Sequence, residues 1–159
     1  MVNQVEEITV VIKQYVLDRF EREYNLLIEL PGVSAIIACV ILSEIGPNVE
    51  AFQSQGNLAS WAGVCPGSYE SAGIKKSSHT TQGNKYLKSS LFQAGGTAGR
   101  SKDEAFHSLY TRISSRSSKM KAIIAYAHKM IRIIYKILST GEHYDTKKAL
   151  GLRQQARAN

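Results

Sequence analysis

Apolar residues recur at steps of three and four along nearly the whole chain, the period of an α-helix buried on one side. Val2, Val5, Ile12, Val16, Phe20, Tyr24 and Leu27 form one such stripe and Pro31-Gly32 ends it, so the pattern predicts a long amphipathic helix over 2–27. No nearby stretch of sequence covers that stripe. The helix is expected either to pair with a copy of itself or a neighbouring segment, or to fold back onto its own domain. Ser34 is placed to cap a second helix that runs to Glu44 and closes at Gly46, and a short helix is expected over 58–62 around the single tryptophan, Trp61. From Cys65 to Gln82 the chain is rich in Gly, Ser, Thr and Lys without any period, and reads as an irregular loop. Helices resume over 84–98, 104–114 and 119–139, with Gly141 as a stop, and the basic, polar stretch 147–159 is expected to fray. Strand signals are nearly absent and no repeat is visible. The predicted fold class is mainly α: a compact helical domain with a long, coiled-coil-like N-terminal helix.

The length, 159 residues, suits one hydrophobic core. Twenty Lys and Arg face 13 Asp and Glu, a net charge of +7, which favours a polyanionic partner. A membrane is the weaker option, because no apolar run approaches the roughly 20 residues of a spanning helix. The first seven residues carry acids where a secretory signal would carry bases, so a cytoplasmic protein is expected. Cys39 and Cys65 lie in apolar surroundings without ligand spacing and read as buried reduced thiols, and no metal site is encoded in the chain.

Four constellations bear on chemistry. Leu27-x-x-Leu30-Pro31-Gly32-Val33-Ser34-x-x-x-Ala38-x-x-Ile41 has the shape of a helix-hairpin-helix, whose Gly turn offers backbone amides at a helix start to a phosphate. Gly32 and Ser34 would make that contact, with Ser34 standing where a second glycine is usual; the alternative is a hairpin that only packs. On the last long helix, Lys121, His128, Lys129, Arg132 and Lys136 share one arc, while Met120, Ile123, Ile124, Ala127, Met130, Ile131, Ile134 and Leu138 fill the other. Lys121, Lys129 and Arg132 are candidate phosphate contacts, or equally a solvated face. Ala94-Gly95-Gly96-Thr97-Ala98-Gly99-Arg100-Ser101 imitates a phosphate-binding loop but follows no strand. Its glycines are expected to let two helices approach closely. A tyrosine-nucleophile reading of His128-x-x-x-Arg132-x-x-Tyr135 fails for a similar reason, since the helix periodicity already accounts for those residues.

The fourth constellation runs from Pro66 to Leu91. Pro66-Gly67-Ser68-Tyr69-Glu70-Ser71-Ala72-Gly73, then Ile74-Lys75-Lys76, then Gly83-Asn84-Lys85-Tyr86-Leu87-Lys88 places a small hydroxyl on a glycine-flanked, lysine-rich loop before a helix. Phosphoryl transfer needs cations around the phosphate, and Lys75, Lys76, Lys85 and Lys88 supply them. A serine also needs a base or metal to take its proton. The aspartates, Asp18, Asp103 and Asp145, follow no strand, so two-metal carboxylate chemistry has to come from elsewhere. By composition alone this serine is an ordinary turn residue.

Taken in order, Leu30-Pro31-Gly32-Val33, Glu44-Ile45-Gly46, Phe52, Leu58-Ala59-x-x-Ala62-Gly63, Pro66-x-x-Tyr69-x-Ser71, Gly83-Asn84-x-x-Leu87-Lys88 and Ile133-Ile134-Tyr135-Lys136-Ile137-Leu138 closely resemble the C-terminal domain of the insertion-sequence 110/116/902 family transposases, relatives of the Piv-type DNA invertases. The resemblance covers residues 26–145. It implies a DNA recombinase with a split active site, in which an N-terminal RuvC-like domain, missing from this chain, holds a divalent metal such as Mg. It further implies that the C-terminal domain carries a serine that becomes joined to cleaved DNA. Ser71 matches that serine by position. The resemblance also implies an element-encoded guide RNA as a partner alongside DNA, and a homo-oligomer formed through the N-terminal helix. On this view 1–29 is the linking helix, 30–145 the transposase C-terminal domain and 146–159 a basic tail. Three positions depart from the family pattern: Ala72 for a usual Gly, Thr81 for a Lys and Lys88 for an Arg, whose fork a Lys replaces with a point charge. The chain is then a fragment or a degenerate copy of a transposase. The other reading from the same residues is a chemically inert helix-hairpin-helix module for DNA binding and oligomerisation.

Overall fold

A computed structural model describes residues 2–65, 69–71, 74–77, 80, 82–98 and 100–150, with backbone alone for 69–71, 74–77 and 98. Among the described residues the elements follow one another as α1 (Val2–Ile28), α2 (Ala35–Ile45), α3 (Gln55–Trp61), β1 (Tyr69–Ser71), β2 (Ile74–Ser77), α4 (Lys85–Ala98), α5 (Glu104–Arg116) and α6 (Lys119–Thr140), with a last helical turn over 146–150. The fold is mainly α with a long N-terminal helix.

The helix starts are set by side chains that take up orphan amides. Ser34 caps α2, Ser54 α3, Asp103 α5 and Ser118 α6, each accepting from the backbone N–H three residues on. Gly141, in the left-handed region at φ 70°, closes α6 as the sequence predicts.

The core is built around α6. Tyr126, Met130, Ile131 and Ile134 are fully buried there, against Leu87 and Leu91 of α4, Phe106 of α5, Leu58 of α3 and Ile41 of α2. Packing of α4 on α6 depends on Gly95, where an added Cβ would lie 3.0 Å from Tyr126 Cδ1 and 3.2 Å from the Ile123 carbonyl oxygen. Its neighbour Gly96 meets nothing within 4 Å, so the expected close approach belongs to one of the two glycines. α1 joins this core only through its second half. Val16, Tyr24, Leu26 and Leu27 are buried, whereas Val5 is 63% and Ile8 59% exposed, and the helix is broken at Phe20 by a non-helical φ of −135°.

Several expectations need correcting. The segment 65–82 is not wholly irregular, since β1 and β2 pair antiparallel inside it. Strands of three and four residues are too short to show a period of two. Met120, assigned to the apolar arc, lies in the first turn of α6 and is 55% exposed. The chain beyond 146 does not fray at once: residues 146–150 are helical, Asp145 caps them through the N–H groups of Lys147 and Lys148, and Ala149 is buried in the core. Residues 151–159 lie outside the described ones. Cys39 is buried and Cys65 half-buried, both free thiols, and burial raises both thiol pKa values above the ordinary one.

Candidate functional site

The segment that carries Ser71 leaves the helical body at the end of α3 and returns at the start of α4, and these two points touch. Trp61 O accepts from Asn84 N–H at 3.0 Å. Gly83 lies so close to the α3 exit that an added Cβ would stand 2.6 Å from Trp61 O and closer still to the backbone of Gly63, itself at φ 72°. No side chain fits there. One residue on, Asn84 starts α4: its Oδ1 accepts from Leu87 N–H at 2.9 Å and Tyr86 N–H at 3.1 Å, and its Nδ2 donates to Glu44 Oε2 at the end of α2. A turn further, Lys88 Nζ donates to Thr80 Oγ1 at 2.8 Å and lies 5.8 Å from the centre of the Phe92 ring. Three motifs separated in sequence, at Glu44, Ala62-Gly63 and Gly83-Asn84, thus meet at the root of one loop.

Within the loop, the ladder pairs Tyr69 with Ser77, Glu70 with Lys75 and Ser71 with Ile74, with an irregularity between Tyr69 and Glu70. The backbone of Ser71 therefore ends β1, and Lys75 and Lys76 lie on β2, the strand paired with it. Their side chains, and residues Ala72, Gly73 and Thr81, lie outside the described ones. Lys85 is exposed on the first turn of α4, its Nζ 5.0 Å from the centre of the Tyr86 ring, which is itself 60% exposed.

The turn between α1 and α2 is a separate place. Gly32 has φ 83°, and a Cβ on it would meet Ala94 O at 2.7 Å, Tyr126 Oη at 2.8 Å and Thr97 Oγ1 at 3.1 Å. Tyr126 Oη donates to Pro31 O, which fastens the turn to α6. Burial, then the nearby Tyr144 and Asp103, push the Tyr126 hydroxyl pKa far above its ordinary value, so it stays a donor. The direction in which Gly32 lacks a side chain is filled by the domain's own α4 and α6. Ser34 Oγ is occupied in accepting from Ile37 N–H at 3.3 Å. Along α4 this turn lies at Ala94 and Thr97, six to nine residues beyond Lys88, roughly 9–14 Å away at 1.5 Å per residue.

The basic arc of α6 is not uniform. Lys121 is exposed and Arg132 half-buried. Lys129, predicted as a phosphate contact, instead donates from Nζ to Ala105 O at 3.0 Å and lies 5.0 Å from the centre of the Phe106 ring, so its cation is engaged on α5. His128 has its pKa lowered by burial and then by Arg132, so it adds little charge at neutral pH. Tyr135 Oη donates to Phe52 O at 3.3 Å, an architectural contact. Among the described residues no three His, Cys, Asp or Glu side chains converge as metal ligands. Asp18 accepts from Gln14 Nε2 at 2.7 Å; Asp103 accepts from Tyr144 Oη at 3.0 Å and Thr146 Oγ1 at 2.6 Å.

In the sequence Glu44 and Asn84 are visible only as parts of a motif, and nothing there marks Thr80 or Tyr126 as partners. The usable signal was the acid at Glu44, in the last turn of a helix whose dipole disfavours it there.

Residues 24–111 match the family model described as Transposase IS116/IS110/IS902 family. The pilin gene-inverting proteins of Moraxella bovis and Moraxella lacunata are each 31% identical over 127 residues, 77% of this chain and 39% of their own length. An insertion element IS110 protein of 43.6 kDa from Streptomyces coelicolor is 27% identical over 133 residues, 82% of this chain and 32% of its own. The chain therefore spans well under half the length of these curated relatives.

Proposed function

Because the chain belongs to the IS116/IS110/IS902 transposase family, we propose that it is the DNA-binding, serine-bearing domain of a cytoplasmic recombinase that cuts and transfers DNA strands together with an N-terminal RuvC-like domain. That partner domain would hold a divalent metal such as Mg, which lowers the charge on the scissile phosphate. The Ser71 oxygen forms a bond to phosphorus as the bond to the departing sugar oxygen breaks; the serine proton passes to a base from the partner domain, which delivers it to the sugar oxygen so that this leaves as a hydroxyl. Lys75, Lys76, Lys85 and Lys88 hold the strand's phosphates, with Lys121 and Arg132 as further backbone contacts that fix the duplex without reading bases. An element-encoded RNA is the source of sequence choice, and copies of the protein assemble through α1. Among the described residues no helix is long and apolar enough to cross a membrane.

The observation that carries this reading is the placement of Ser71 on a hairpin whose other strand holds Lys75 and Lys76 and whose return limb is tied to Lys88. Ser71→Ala in the protein that recombines should lower strand transfer by about a thousandfold or more and abolish the covalent protein–DNA adduct on a denaturing gel, with DNA affinity unchanged. Adduct formation by that variant would remove Ser71 from the chemistry and leave the inert DNA-binding module.

A further inference from the structure

Glu44 is the penultimate residue of α2, where a carboxylate faces the negative end of its own helix. Nothing local favours an acid there. Its Oε2 accepts from Asn84 Nδ2, 40 residues further along the chain. Asn84 Oδ1 meanwhile accepts from the Leu87 and Tyr86 N–H groups at the positive end of α4. Ser, Thr and Asp cap helices about as well as Asn does. Asp has no donor, and a hydroxyl must serve both tasks through one atom; a side-chain amide offers an acceptor to the helix and a separate donor to a carboxylate. Glu44 thus explains the asparagine, and the asparagine explains the misplaced acid.

This pair stands where the loop that carries Ser71 rejoins the helices, beside the Gly83–Gly63 contact and one turn before the Lys88–Thr80 bond. An isolated two-stranded hairpin is marginally stable, so strands as short as β1 and β2 take their place from the limbs that anchor them. We propose that Glu44 and Asn84 are positioning residues for the serine hairpin: their hydrogen bond fastens the return limb to the end of α2 and sets where Ser71 stands relative to the helical body. The proposal rests on Ser71 being the nucleophile, and a nucleophile misplaced by about 1 Å can lose on the order of a hundredfold in rate.

Asn84→Asp keeps the capping oxygen but removes the donor and sets two carboxylates together. Combining it with Glu44→Gln restores a donor, now on the α2 side. Amide hydrogen exchange in this chain should rise about tenfold at Ser71 and 74–77 in Asn84→Asp, the order that one lost hydrogen bond permits. Protection in α6 should stay as it is, and the paired variant should return the hairpin to its original rate. Ser71→Ala should move none of these rates. In the recombining protein, Asn84→Asp should slow strand cleavage by about ten- to a hundredfold at unchanged DNA affinity, with recovery in the paired variant. The proposal is overturned if hairpin exchange ignores Asn84→Asp or rises equally throughout α6. It is likewise overturned if the paired variant does not recover, or if cleavage is unaffected. Should Ser71→Ala still cleave, the nucleophile assignment falls by itself and the exchange pattern alone decides the fastening.

Discussion

At Gly83 the absent side chain is a structural requirement, because backbone from Gly63 and Trp61 occupies the space where a Cβ would go. Both neighbours are main chain and cannot rotate away. Gly83→Ala should therefore destabilise the fold by about 1–3 kcal/mol, read as a lower denaturant midpoint. Gly96, 13 residues further along the chain, has open space around it and sits inside α4. Gly96→Ala should stabilise by up to about 1 kcal/mol, since alanine loses less backbone entropy in a helix. Equal effects at the two sites would mean that the loop root is not as tightly closed as its geometry requires. These two glycines look alike in sequence, and the difference between them is made by contacts across 20 residues of chain. That is why the sequence shows Gly83 only as part of a motif, whereas Ser34 and Gly141, whose partners lie three or four residues away, are legible as helix caps.

The elements divide in the same manner. Each long helix announces itself by a period of 3.6 and a cap, both local, and α1, α2, α4, α5 and α6 begin and end within a few residues of their predicted bounds. The hairpin has neither signal. Its only trace in the sequence is a connection of two residues, one of them glycine, between Ser71 and Ile74. α1 shows what periodicity leaves open: its apolar stripe is continuous from Val5 to Leu27, yet burial starts at Val16. The first 14 helical residues extend about 20 Å with Val5, Ile8, Ile12 and Tyr15 exposed at three- and four-residue steps. Such a seam fits knobs-into-holes pairing with a second copy of the helix. Ile8→Lys with Ile12→Lys should convert a self-associated chain to monomer in sedimentation equilibrium and leave the thermal midpoint of the monomer unchanged, because these side chains touch no part of the core. A wild-type chain that sediments as a monomer at high micromolar concentration would sink the idea.

For the molecule as a whole, a net charge of +7 favours a polyanionic partner such as the proposed duplex but does not say which cations would carry the contact. Each phosphate neutralised by a side chain contributes about 0.9 to the slope of log affinity against log salt on duplex DNA. Lys85 and Lys121 are exposed, so alanine at either should flatten that slope by about one such contribution and leave stability alone. Lys129 belongs to the same arc on the helical wheel, but its ammonium donates to the Ala105 carbonyl and lies near the Phe106 ring. Lys129→Ala should leave the salt slope unchanged and weaken the packing of α5 on α6, at a cost of about 1–3 kcal/mol for the charged hydrogen bond. Fluorescence anisotropy with labelled duplex, repeated across salt concentrations for the three variants, separates the two roles. A flatter slope for Lys129→Ala with unaltered stability would mean that the arc acts as one surface and that its contact with α5 gives way to DNA. The opposite result leaves the cations at the hairpin root and the exposed start of α6 to hold the duplex, so that phosphate contact and core packing are divided between lysines that a wheel diagram puts together.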